Sequence, residues 1–227
     1  MRSYPSSSKA TLFAACGALL ALAPGSVRGA EVILQNDSVP PGTALTSFIT
    51  GERVASWLTI PTTGHIVGVQ IFWGSMFGGS PPSTETAITI SSGATFPTPG
   101  TTLATIAAPT LVDTAGPTEF RHLDPPANNV PLSVPVTAGQ VIVVDLEFLN
   151  TNAGNQFAGS IEYDADGIQT GVNSVFASGV WTDAASLGVP GDFGIRAILV
   201  PIPEPSGAWL ALAAAGILLV SRRRGVA

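Results

Sequence analysis

The sequence predicts an all-β domain, an antiparallel β-sandwich, over residues 31–200 of the 227-residue chain. Its apolar runs are short and rich in β-branched residues, as strands are. Clusters of Gly and Pro separate these runs about every ten residues, and they supply the backbone angles of strand reversals. No amphipathic stretch of ten residues favours a helix. Strand number and long rim loops favour a jelly roll over an immunoglobulin-like sandwich.

Five runs predict the longest strands, and they are Val54–Ile60, Ile66–Trp73, Glu85–Ser91, Gln140–Phe148 and Asp192–Val200. In the fourth, side-chain alternation places Val144, Leu146 and Phe148 inside and Asp145 and Glu147 toward solvent. Shorter strands are predicted at Val32–Leu34, Thr102–Ile106, Glu119–Leu123, Leu132–Val136, Phe157–Tyr163 and Ser174–Phe176. No repeat of 20–50 residues occurs, which argues against a propeller or solenoid.

The C-terminal segment, residues 201–227, combines three features in a fixed order. Pro203, Glu204 and Pro205 break any helix. The apolar run Ala208–Val220 follows, and Arg222, Arg223 and Arg224 end it. This run is shorter than an ordinary membrane span of about 20 residues. The arginines predict a cytoplasmic end for the short transmembrane helix.

This order of features resembles the PEP-CTERM sorting signal of Gram-negative bacteria that make exopolysaccharide. The resemblance covers about a tenth of the chain and carries over to Pro203, Glu204, Pro205, Arg222, Arg223 and Arg224. It implies that an exosortase, a membrane-embedded cysteine peptidase, recognises the tail and cuts it near Pro203–Pro205. The expected partners are therefore the exosortase and, transiently, the inner membrane. The chain would then be released to the cell surface or the extracellular space.

Residues 1–30 predict a secretory signal peptide. Arg2 and Lys9 form a basic start, and the apolar run Ala10–Ala23 follows before Pro24. Cys16 lies within this run, too early for a lipoprotein box, and it is the only cysteine of the chain. The exported domain is therefore expected to have no disulfide, no thiolate nucleophile and no Cys-bound zinc.

The exported part is strongly acidic. Residues 31–205 hold all 15 carboxylates but only three basic residues, which gives a net charge of −12. Such a surface repels nucleic-acid phosphates and anionic membranes, so no nucleic-acid partner is expected. Solubility alone also explains this charge.

Two sets of residues are candidates for ligand binding. Glu162, Asp164 and Asp166 lie around a turn that ends at Gly167, and their oxygens suit calcium. The glycine spacing departs from the EF-hand pattern, and an ordinary acidic turn also explains these residues. Trp73 and Trp181 lie near loop-rich ends, where exposed aromatic rings stack on sugars. Core packing is the alternative for both tryptophans.

Enzymatic residues are sparse. His65 and His122 are the only histidines, and no Gly-x-Ser-x-Gly motif presents a nucleophile. We therefore expect that the chain is not an enzyme and has no cofactor. Calcium is a possible ligand of the acidic turn. Two functional hypotheses follow: a non-catalytic surface or matrix protein associated with exopolysaccharide, or a lectin-like carbohydrate-binding module.

Overall fold

The fold was analysed in a computed structural model of the full chain, and the structure describes residues 29–38, 45–74, 82–149 and 160–202. The strands in chain order are β1 (Val32–Leu34), β2 (Leu45–Ser47), β3 (Arg53–Thr59), β4 (Gly64–Ile71), β5 (Ser83–Thr84), β6 (Ala87–Ser92), β7 (Thr102–Ala107), β8 (Thr110–Leu111), β9 (Thr118–Phe120), β10 (Val134–Val136), β11 (Val141–Glu147), β12 (Ser160–Glu162), β13 (Asn173–Ala177), β14 (Val180–Asp183) and β15 (Ile195–Pro201).

Two larger antiparallel sheets organise these strands. The five-stranded sheet runs β1-β15-β4, and both β9 and β10 pair with β4. The six-stranded sheet runs β14-β13-β3-β11-β6-β7. Two short pairs, β2 with β12 and β5 with β8, complete the pairing. The one helical element among the described residues is a 3₁₀ turn at Ala184–Leu187. The described residues are therefore all-β and antiparallel, as the sequence predicts.

A single large hydrophobic core draws side chains from both larger sheets. The six-stranded sheet contributes Val54, Val144 and Leu146, among others, and the five-stranded sheet contributes Ile66 and Ile195. Each of these residues alternates with a side chain on the opposite face of its strand. The prediction that Val144, Leu146 and Phe148 lie inside is confirmed, since all three are fully buried in this core.

Each of the five long predicted runs contains a strand, with ends that shift by a few residues. The largest shift is in the last run, where the strand begins at Ile195 rather than Asp192. The sequence analysis did not predict β2, β5, β8 or β14, which have only two to four residues each. Such short strands carry too few residues for an alternation pattern to stand out.

The prediction that Asp145 faces solvent is wrong. Asp145 does lie on the face opposite the core, but its side chain is completely buried there. The six-stranded sheet therefore has a second packed layer on its outside.

Candidate ligand-binding face

The outer face of the six-stranded sheet is the side that turns away from the core. Strand alternation and register assign its members, which from β14 to β7 include Trp181, Asp183, Phe176, Ser174, Arg53, Ala55, Trp57, Asp145, Val143, Glu147, Ala87, Thr89, Ser91 and Thr105. Ala55, Trp57 and Val143 form the centre of a small apolar cluster on this face.

An ion pair lies at the middle of the outer face. The Nε atom of Arg53 donates to Oδ1 of Asp145 at 2.8 Å, and Nη2 donates to the same oxygen. Glu147 flanks the pair, with its Oε2 atom 3.9 Å from Nε of Arg53. Oδ2 of Asp145 is buried and has no hydrogen-bond partner. Burial raises the pKa of Asp145 to about 6, although the positive charge of Arg53 opposes this shift.

Two aromatic pairs border this ion pair. The guanidinium carbon of Arg53 lies 5.5 Å from the ring centroid of Trp181, a cation–π contact, and Trp181 packs against Phe176 at 5.4 Å. On the other side, Trp57 meets Phe96 edge to face at 5.3 Å. The indole Nε1 of Trp57 donates to Oγ of Ser174 at 3.0 Å, which fixes the ring in place.

A line of polar groups continues from Asp145 toward the edge of the sheet. Register places Asp145 opposite Thr89, and Thr89 opposite Thr105. Ser91 lies two residues from Thr89 on the same face. Thr89 is 7% exposed and Ser91 is 3% exposed. No hydrogen-bond partner for either hydroxyl occurs in the described ranges. On this face, the one fully buried side-chain atom without a hydrogen-bond partner among the described residues is Oδ2 of Asp145.

The two predicted tryptophans have different environments. Trp181 is partly exposed on the outer face, where a ligand can reach it. For Trp73 the candidate role in sugar stacking is wrong and the alternative of core packing holds, because Trp73 is 1% exposed and belongs to the main core. Its backbone forms an isolated β-bridge with Ile161.

The acidic turn brings two of its three predicted residues together. Asp164 accepts hydrogen bonds from the backbone N–H groups of Asp192 and Ser38, at 2.8 and 2.9 Å. Asp166 accepts from the hydroxyl of Ser38 at 2.7 Å. Gly167 has a φ of 109°, as a turn glycine does. Protein donors therefore engage both carboxylates.

Glu162 is buried separately on β12. Its Oε2 atom has no partner, and burial, reinforced by the negative charge of Asp113, raises its pKa. Within the described part of the chain, no group of three or more His, Cys, Asp or Glu side chains is placed to hold a metal. Calcium binding by Glu162, Asp164 and Asp166 stays a prediction.

A buried network that the sequence analysis missed stabilises this turn. Oδ1 of Asp192 accepts from Asn173 at 2.6 Å and from the backbone of Gln169 at 2.9 Å, and Oδ2 accepts from the side chain of Gln169 at 2.6 Å. Burial raises the pKa of Asp192, although the hydrogen bonds from Gln169 oppose this shift. Asn173 also accepts from Ser56 of β3 at 3.1 Å, which links the turn to the six-stranded sheet.

The two histidines contact neighbouring segments of the chain. His65 lies on β4 of the five-stranded sheet, and its Nδ1 atom is 3.1 Å from Oγ of Ser133. His122 forms a β-bridge with Pro131. Neither one contacts the outer face of the six-stranded sheet through any hydrogen bond or ion pair found among the described residues.

The sorting-signal residues Pro203, Glu204, Pro205, Arg222, Arg223 and Arg224 lie outside the described residues, as does the predicted signal peptide up to residue 28. No helix within residues 29–38, 45–74, 82–149 and 160–202 has the length and hydrophobicity that a membrane span needs.

Comparisons with known proteins give a likeness of fold to a solved structure. No family model matches the chain, and no curated protein matches it. A similar solved structure is the crystal structure of the cysteine protease and lectin-like domains of Cwp84, a surface-layer-associated protein of Clostridium difficile. The TM-score is 0.52 at 13% identity, over 75% of this chain and 36% of that one. The chain thus spans about a third of the length of that structure, and the likeness concerns the fold alone.

Arg53, Thr89 and Ser91 were missed as site residues by the sequence analysis. Their strands were predicted, and alternation alone assigns Thr89 and Ser91 to the face opposite Ile88 and Ile90. The sequence pattern does not predict that β11 pairs with both β3 and β6. That pairing brings these side chains to Asp145.

Proposed function

We propose that this chain is an exported, non-catalytic protein of the cell surface or extracellular matrix whose β-domain binds carbohydrate. The observation that carries the proposal is the outer face, where the partly exposed side chains of Trp181 and Arg53 form a cation–π contact beside the apolar cluster of Ala55, Trp57 and Val143. Aromatic rings with a few fixed polar groups are the usual means of binding sugars. The likeness to a surface-layer-associated protein with a lectin-like domain supports the same function.

The finer architecture belongs to this proposal. Two antiparallel sheets around a shared core favour a β-sandwich of the jelly-roll type, an architecture that lectin domains use. Because jelly rolls include lectin domains, we infer that the lectin-like part of the solved structure is the part that resembles this chain.

Carbohydrate binding is tested with the mature domain on an immobilised panel of neutral and acidic oligosaccharides, with and without a calcium chelator. We expect saturable binding that Trp181→Ala weakens at least tenfold. Val180→Ala is the matched control, since Val180 is the adjacent residue and is 61% exposed. Thermal unfolding of both variants verifies that they are folded. If no oligosaccharide binds, the domain has no lectin-like role, and a purely structural matrix protein is the better hypothesis.

The route to the surface is a second part of the proposal. We infer that residues 1–30 direct export, that residues 201–227 hold the chain in the inner membrane, and that an exosortase then removes this tail. The support is the order of Pro203–Pro205, the apolar run and the three terminal arginines.

Replacement of Pro203, Glu204 and Pro205 by alanine tests this route in a host that makes an exosortase. We expect the full-length form to accumulate in the membrane fraction, and intact mass spectrometry of envelope and medium measures it. Normal processing and secretion of the variant would refute the assignment.

A further inference from the structure

A cavity beside β9 is separate from the outer face of the six-stranded sheet, because β9 pairs with β4 of the other sheet. Its volume is about 390 Å³, within the usual range of about 300–1,000 Å³ for small-molecule sites. Phe120, a member of the main core, and Pro125 give the cavity an apolar wall. Polar side chains, which include His122 and Asn128, line the rest of it.

A network of ion pairs forms the charged wall of this cavity. Arg121 donates to both carboxylate oxygens of Glu31, at 2.7 and 2.9 Å, and its Nε atom donates to Oε1 of Glu119. Oε2 of Glu119 accepts from the side chain of Gln70 at 2.8 Å. Because these carboxylates already engage the guanidinium, the wall offers a ligand the remaining lone pairs of Glu119 rather than a free cation.

The loop after β9, which forms another side of the cavity, is fixed by its own hydrogen bonds. The carboxylate of Asp124 accepts from the backbone N–H groups of Asn129 and Val130, at 3.1 and 2.8 Å. Asn128 has a φ of 55°, a left-handed conformation that Asn adopts more readily than most residues. Its side-chain NH₂ group donates to the oxygen of Pro126, so Oδ1 of Asn128 remains as an acceptor for a ligand.

His122 supplies a ring with unused hydrogen-bonding capacity. Within the part of the chain that the structure describes, this ring makes no hydrogen bond and no ion pair, whereas the ring of His65 lies 3.1 Å from Oγ of Ser133. A neutral imidazole donates through one nitrogen and accepts through the other. The cavity therefore combines this ring with the acceptor oxygens of Asn128 and Glu119.

Charge and polarity identify the class of ligand. Three carboxylates, those of Glu31, Glu119 and Asp124, lie on or beside the cavity with the guanidinium of Arg121. Their excess negative charge repels an acidic ligand. The acceptor oxygens favour a ligand that donates several hydrogen bonds, and the apolar wall favours contact with ring carbons. A sugar without an acidic group has both properties.

We propose that this cavity binds one unit of a non-acidic sugar, with His122, Asn128 and Glu119 as its hydrogen-bonding residues. The inference rests on the proposed carbohydrate-binding function, and it assigns the domain a second contact site, distant in the fold from the sheet that holds Trp181. It predicts that the ring of His122 responds directly to the sugar.

The two histidines of the chain allow a test of direct contact, because His122 lines the cavity and His65 does not. The full chain, with isotope-labelled histidine and in a detergent that contains no sugar, is titrated with the methyl glycosides of glucose, galactose, mannose and N-acetylglucosamine. We expect the ring NMR signals of His122 to shift in a saturable manner with at least one glycoside, while those of His65 stay in place. The signals lost in His65→Ala assign the two rings.

Variants measure what each side chain contributes to binding of the glycoside that the wild type binds most tightly. By calorimetry we expect His122→Ala to raise Kd about tenfold, the effect of one lost hydrogen bond. Asn128→Gly, which retains the left-handed backbone, should have a similar effect, and His65→Ala should match the wild type. The uronate of the same sugar should bind more weakly, and added salt should reduce this difference. Thermal unfolding verifies that each variant is folded.

The outcomes separate this cavity from the proposed function. If oligosaccharides bind the chain and Trp181→Ala weakens their binding, but the His122 signals never shift, the cavity alone is refuted. If the His122 signals shift and Trp181→Ala binds like the wild type, the cavity is the sugar site and the outer face is not. If no saccharide binds at all, the carbohydrate-binding function fails, and the cavity fails with it. Tighter binding of the uronate, or equal shifts at both histidines, would also overturn the cavity as a site for a non-acidic sugar.

Discussion

Arg53 covers a carboxylate, Asp145, that is fully buried on the outside of a β-sheet. Both guanidinium contacts go to Oδ1, so Oδ2 is left without a partner. The attraction within one such ion pair is weaker than the free-energy cost of removing the carboxylate from water. The neutral form of Asp145 is consequently favoured in the folded state, and stability depends on pH.

The first prediction concerns this pH dependence. The folded state raises the pKa of Asp145 from 3.8 to about 6, so its favourable contribution is complete below pH 3.8 and is lost as the pH rises through 6. The full loss is at most about 3 kcal/mol. We expect Asp145→Asn to remove most of this loss between pH 4.5 and 7.5, as measured by urea unfolding.

Glu147→Gln is the control, because Glu147 is partly exposed beside the same arginine. Its difference in unfolding free energy between pH 4.5 and 7.5 should resemble that of the wild type. An unchanged pH difference in Asp145→Asn would show that Asp145 is ionised in the folded state at both pH values.

A second prediction concerns the buried carboxylate of Asp192. It accepts three hydrogen bonds, two from Gln169 and one from Asn173. Asp192→Asn replaces one accepting oxygen by an NH₂ group that faces a donor, so we expect a loss of about 1–3 kcal/mol. Chemical denaturation measures this loss.

Asp166→Asn is the matched control for Asp192→Asn. Asp166 is an exposed residue of the same turn and accepts from Ser38. Its replacement should change stability by less than about 0.5 kcal/mol. Equal effects of the two substitutions would mean that burial of the Asp192 network contributes nothing to stability.

The sequence predicts the fold class and one face of each long strand, because alternation is a local property. Val144, Leu146 and Phe148 illustrate this, since all three lie in the core as predicted. Asp145 shows the limit of the method. Its alternation is correct, yet its burial depends on Arg53, which lies 92 residues away in the chain. A local pattern contains no information about which strand becomes the neighbour.

The position of Trp73 also depends on a distant segment that a local pattern does not reveal. Its position at the end of a strand, before a glycine-rich stretch, is compatible with both an exposed rim and core packing. In the structure it bridges to Ile161, which is far away in the sequence, and it lies in the core. Trp181 lies on a strand of four residues, and only the register of β14 with β13 places it beside Phe176 and Arg53.

The third prediction concerns the close approach of two backbone segments at the acidic turn. A Cβ atom on Gly191 would overlap the main-chain oxygen of Asp164 and lie 2.7 Å from its Oδ1. Asp164 cannot retreat, because it also accepts from the backbone of Asp192 and of Ser38. We expect Gly191→Ala to destabilise the domain by at least about 2 kcal/mol.

Gly116→Ala is the matched control, because a Cβ atom there meets no heavy atom within 4 Å. That substitution should be neutral or stabilise the domain by up to about 1 kcal/mol, since it restricts the unfolded chain. Urea unfolding at pH 7 compares the two variants with the wild type. If Gly191→Ala unfolds at the same urea concentration as Gly116→Ala, the two segments approach each other less closely than described. The turn would then not fix the position of the strand that begins at Ile195.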